Sequence, residues 1–205
     1  MTSSFTRSIF VIIAVILLSG AAVQAEQPNL RSIKRVAIDS EIPQPEIPFI
    51  QGPGTFKAFM IGGAIGTITD EKSAGRAFRE YMRQNNIDIS VIVLNSFTRV
   101  IEEGKLFEVG MSGDATLKLT INTYGFGASG FFGGSERKPM INVTASLVAG
   151  DGNVIWKKTN FITNLSKLTN AYTYDQMAQD PQLSIKSFEQ ASALVARLIL
   201  LEFKK

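Results

Sequence analysis

Neither cysteine nor histidine occurs anywhere in the 205 residues. The first absence excludes disulfides, thiolate metal sites and lipid attachment at a signal-peptide cysteine. The second excludes Ser-His-Asp and Cys-His catalysis and His-ligated zinc. A charge excess is lacking as well, since 21 Lys and Arg stand against 18 Asp and Glu. That balance is too even for the clustered basic patch that nucleic acid demands, so no nucleic-acid partner is expected. The densest basic cluster, Arg31, Lys34 and Arg35, reads as a solvated approach to a first strand. The apolar run from Ile9 to Leu18 has ten residues, against roughly 17 to 25 for a helix that spans a bilayer.

That short run has another reading. Arg7 precedes it, Ser19 and Gly20 interrupt it, and small residues follow, ending Val23-Gln24-Ala25. This is the order of charged, apolar and cleavage regions in a secretory signal peptide, with the cut after Ala25. The alternative is an uncleaved amino-terminal anchor. Cleavage would leave 180 residues with a net charge of about +2, a length that makes one domain with a full hydrophobic core. The division expected is a signal peptide at 1–25, an extended Pro-rich segment at 26–55 and a folded domain at 56–205.

Val36-Ala37-Ile38 is short and apolar enough for a first strand. Pro43, Pro45, Pro48 and Pro53 then fix φ and remove donors, so the chain there is extended and irregular. The apolar Phe56 to Ile68 stretch contains Gly62, Gly63 and Gly66. It reads as a buried turn or packed helix; in the alternative reading of the chain as a lipid or small-molecule carrier, it would line the cavity. Asp70 is placed to cap a helix through about Gln84, with Phe78, Tyr81 and Met82 on one side. A second helix covers Ser90 to Glu103, and Gly104 stands where helices stop. Leu106 to Val109 is a short strand. The clearest element is Asp114 to Tyr124, where Ala115, Leu117, Leu119 and Ile121 alternate with polar residues. Pro139 to Val148 repeats that alternation, a Gly150-Asp151-Gly152-Asn153 turn follows, and Val154 to Ile162 returns. Leu165 to Tyr174 is polar and irregular, and Asp180-Pro181 is a break. A last helix then carries Ile185, Phe188, Ala191, Val195, Leu198 and Ile199 on one stripe.

The fold class is therefore α+β: an antiparallel sheet of three to five strands with helices packed on one face. Leu117, Leu119, Ile121, Ile141, Val143, Leu147, Trp156, Val195 and Leu198 are the expected core. No cofactor motif is present, because the glycines at 62, 63 and 66 lack the Lys-Ser/Thr of a phosphate loop. Carboxylates able to pair for acid-base work are Asp70, Glu71, Glu102, Glu103, Asp114 and Asp151. Each has a structural explanation as a helix end, strand start or turn residue, so an enzyme is not expected. One segment stands out from this framework. Between the two best strands, Gly125 to Gly134 replaces a tight turn with a glycine-rich loop that holds Phe126, Phe131 and Phe132. Aromatics on such a tip either mark a contact with a partner protein or membrane surface, or fold back onto the sheet to finish its core.

Three features in 90–158 occur together: a helix ending Phe97 to Gly104 before Leu106-Phe107-Glu108-Val109, an opening Gly113-Asp114-Ala115, and Asp151 to Trp156 with an apolar residue before tryptophan. In this the stretch resembles a module of Gram-negative envelope proteins. These include the curli-export lipoprotein, the lipoprotein activators of penicillin-binding proteins and the amino-terminal domain of the Tol-system propeller protein. The resemblance implies a periplasmic, non-enzymatic accessory protein that binds an envelope partner.

Overall fold

The computed structural model describes residues 30–50, 56–57, 67–68, 71–129 and 135–203. They form a single mixed α+β domain with strands β1 (Arg35–Ile38), β2 (Phe49–Ile50), β3 (Phe56–Lys57) and β4 (Thr67–Ile68), then helices α1 (Glu71–Gln84) and α2 (Ile89–Gly104). After these come β5 (Glu108–Val109), β6 (Ala115–Ala128), β7 (Glu136–Ala149), β8 (Val154–Ile162), β9 (Tyr172–Thr173), α3 (Tyr174–Gln179) and α4 (Gln182–Leu200). A 3-10 turn, Leu201–Phe203, ends the described chain.

The expected antiparallel sheet needs correcting. Its centre, β6-β7-β8, is antiparallel, but β1 runs parallel to both β5 and β6, and β2 runs parallel to β6. Among the described residues the sheet has seven strands, with β5-β1-β6-β7-β8 as its main order, rather than three to five. Two strands from the Pro-rich segment therefore belong to it. Between them the Asp39 N–H donates to Leu117 O at 3.0 Å, and Pro43 O accepts from the Ile121 N–H at 2.8 Å. Proline suits this place, because an edge segment can present carbonyls without needing every N–H. Two glycines admit it. A Cβ on Gly75 would stand 2.4 Å from Pro48 O, and one on Gly125 would stand 1.7 Å from Phe49 O.

Helix α2 starts where Asp88 accepts from the Ser90 and Val91 N–H groups at 2.8 and 3.3 Å, satisfying amides that no helical carbonyl reaches. Its end differs slightly from expectation. Gly104 is still helical, and Lys105 takes the left-handed conformation at φ 49°. Asp70, the expected cap of α1, lies outside the described residues, as does the Gly62 to Gly66 stretch. The region read as irregular after Leu165 contains β9 and the start of α3, held by a reciprocal Thr173–Gln176 capping box.

Helices α2 and α4 pack on one face of the sheet, over Leu117, Leu119, Ile121, Ile141, Val143 and Leu147. Val195 joins this core, but Leu198 is 40% exposed and Trp156 is half-buried. Leu198 lies at the border of the α4 stripe, where Val195 and Ile199 take the buried positions. The sheet curls so far that the C-terminal turn reaches both of its edges. The Phe203 ring stands 4.9 Å from Phe107 beside β5 and 4.9 Å from Trp156 on β8.

Candidate functional site

The structure describes one of the three phenylalanines of the expected contact loop. Phe131 and Phe132 lie outside the described residues. Phe126 is not on the loop at all: it lies within β6 and is fully buried. The cause is a β-bulge. Ile121 pairs with Val143 but Thr123 pairs with Asn142, so Asn122 is an extra residue. One inserted residue reverses the parity of everything after it. Before the bulge Leu117, Leu119 and Ile121 face the helices, and after it Tyr124, Phe126 and Ala128 do. Phe126 thus enters an aromatic cluster, with its ring 5.4 Å from Phe78 of α1 and 4.9 Å from Phe188 of α4. As an exposed contact residue it must be withdrawn, because it has no exposed surface.

A second feature lies at the β5 edge of the sheet. A cleft of about 1590 Å3 runs beside β5, with Ile33, Leu106, Phe107 and Phe203 along it and charged residues at its rim. Helix α2 builds one wall, because the Leu106 N–H bonds back to Ile101 O at 3.1 Å and turns the chain sharply into β5. The Glu108 and Gly110 amides both point at β1, donating to Lys34 O at 2.8 Å and Val36 O at 3.1 Å. By alternation the Val109 N–H and C=O face away from β1. Among the described residues no strand pairs with β5 on that side. Val109 is exposed at this edge and Met111, just past it, is completely exposed.

The charges around the cleft fix its shape. Arg35 donates to Glu108 Oε2 through Nε at 3.2 Å and Nη2 at 2.8 Å, and the Glu108 carboxylate raises the arginine's pKa. Asp114 accepts from the Lys34 and Arg35 backbone N–H groups at 2.9 and 3.1 Å, bonds that hold its carboxyl below the usual range. Glu202 accepts from Trp156 Nε1 at 2.5 Å and lies 3.6 Å from Lys158 Nζ, which pins the C-terminal turn. Two of the six carboxylates considered for chemistry are thereby engaged in structure: Asp114 here, and Asp151 in its turn, where it accepts from the Asn153 N–H at 2.9 Å. Glu103 approaches Arg197 at 3.9 Å on the surface. Among the described residues, no group of three or more His, Cys, Asp or Glu could hold a metal ion. Elsewhere, burial pushes Tyr174 up to about 12 against the opposing pull of Arg137.

The cleft was not anticipated, because its walls come from residues near 30, 106 and 203 that only the curled sheet brings together. One signal existed: Met111 is a large apolar residue between Gly110 and Ser112-Gly113, in a segment otherwise fit for a turn.

No family model matches the chain, and no curated protein matches it. Solved structures are similar to it in part. A Xanthomonas campestris protein of the DUF330 family has 15% identity and a TM-score of 0.46, with 83% of each chain covered. A Caulobacter crescentus protein described as a putative lipoprotein has 14% identity and a TM-score of 0.40, covering 57% of this chain and 80% of that one. A minor lipoprotein from Acinetobacter baumannii has 11% identity and a TM-score of 0.40, covering 82% of this chain and 92% of that one. Two of these neighbours are named as lipoproteins, whereas this sequence has no cysteine to carry a lipid.

Proposed function

We propose that this chain is a periplasmic, non-enzymatic accessory protein of the cell envelope that holds an extended segment of a partner protein against β5. The observation that carries the reading is the open Val109 edge beside an apolar cleft. An exposed edge offers backbone hydrogen bonds to an added strand, and pockets beside it select the side chains of that strand. The cleft's volume, about 1590 Å3, exceeds the roughly 300 to 1000 Å3 usual for a small-molecule site. That favours a polypeptide over the lipid or small-molecule carrier, whose expected cavity-lining segment lies largely outside the described residues. Export follows the signal-peptide pattern, with the mature chain beginning at Glu26. Phe131 and Phe132 remain proposed as a second partner contact.

The test is a double variant, Val109→Asp with Met111→Asp. Neither side chain is buried, so melting should hold while binding of the envelope partner weakens on the order of tenfold or more. Undiminished binding would count against the cleft. A small molecule retained by the native protein in mass spectrometry would favour the carrier.

A further inference from the structure

The loop between β8 and β9 displays apolar side chains although its backbone is held down. Asn164 Nδ2 donates to Ala128 O at 2.6 Å, and Lys138 Nζ donates to Ser166 O at 2.7 Å, so two strands of the sheet grip the loop. Inside it the Ser166 N–H donates to Thr163 O at 3.0 Å and the Leu168 N–H to Ser166 Oγ at 3.2 Å. At its far end the Asn170 N–H donates to Gln190 Oε1 at 3.2 Å. A loop so fixed, with Thr169 turned inward and buried, nonetheless leaves Leu165 at 48% and Leu168 at 71% exposure. Phe161, at the end of β8, is 58% exposed. Holding apolar side chains in water is unfavourable by the area they expose, and several such residues within one short, fixed segment mark a contact surface.

The charge of the segment selects what it contacts. From Asn160 to Asn170 the charged residue is Lys167, with no Asp or Glu to offset it. Lys167 is exposed between Leu165 and Leu168. Lysine is depleted in protein interfaces, whereas lysine beside exposed apolar residues is the composition that binds anionic bilayers. Pairing of β8 with a second copy is opposed by the exposed Lys157 in mid-strand, since like charges meeting across an edge repel. We infer that Phe161, Leu165, Lys167 and Leu168 form a peripheral contact with an anionic phospholipid surface, the leucines entering the headgroup layer while Lys167 pairs with phosphate.

The inference stands apart from the β5 cleft, and a local probe tests it even where residues 1–25 tether the chain. Leu168→Trp is compared with wild type, whose single tryptophan is Trp156, in vesicles of phosphatidylcholine alone and of equal parts phosphatidylcholine and phosphatidylglycerol. The difference emission should shift to the blue with the mixed vesicles and far less with phosphatidylcholine. Adding Lys167→Ala should weaken the response about fivefold, and raising salt should weaken it further. No blue shift, or one indifferent to lipid charge and to Lys167, would overturn the inference. So would a photocrosslinker at position 168 that captured protein in place of lipid in cells.

Discussion

The carbonyl oxygen of Phe49 occupies the space that a side chain on Gly125 would need, 1.7 Å from where its Cβ would stand. Gly125 also has φ of 153°, which disfavours any L residue. Gly125→Ala should therefore cost more than about 1 kcal/mol from backbone strain alone, with the clash added. The loss should appear as detachment of the segment from β6. Hydrogen exchange at the Ile121 amide, which donates to Pro43 O, would accelerate beyond the change in global stability. Gly125→Ala with unchanged melting would show that this segment does not depend on the close approach.

Phe126 tests the bulge. As a fully buried ring between Phe78 and Phe188, its replacement by Ala should cost about 3 to 5 kcal/mol in denaturant unfolding. A change near zero would place it back on the surface and remove the parity reversal at Asn122.

The period-two pattern made β6, β7 and β8 legible, and Val154–Ile162 has the expected bounds. The bulge was not legible, because Asn122 is polar and satisfies the outward alternation. The strand register reveals its place, and its side chain bonds outward to Asn142 Oδ1 at 2.9 Å and Thr144 Oγ1 at 2.8 Å. Nor does alternation say which strands are neighbours. Val36 would be buried beside a parallel or an antiparallel partner alike, so the mixed sheet could not be read from it. The cleft was hidden for a related reason, since Ile33, Phe107 and Phe203 are far apart in sequence and each reads locally as ordinary core.

Asp114 makes stability at this end of the sheet depend on pH. The Lys34 and Arg35 amide bonds lower its folded pKa below the ordinary 3.8. A depressed carboxylate contributes stability above its unfolded pKa and loses it as pH falls through the folded value. Asp114→Ala should lower the melting temperature at neutral pH, and its gap from wild type should close on acidification below 3.8. A gap that stayed constant would assign the aspartate no ionic role.

Phe131→Ser combined with Phe132→Ser should leave thermal stability nearly unchanged and reduce partner binding. A fall of many degrees in melting would instead assign both rings to the core.

The most direct test of the account is site-specific photocrosslinking from Met111 in intact cells of the source organism. Met111 is completely exposed at the mouth of the cleft, so incorporating the probe there disturbs no packing. The account predicts one discrete protein adduct from the envelope fraction, lost when Val109→Asp is added. Absence of any protein adduct, or an adduct indifferent to Val109→Asp, would contradict the claim that this edge receives a partner.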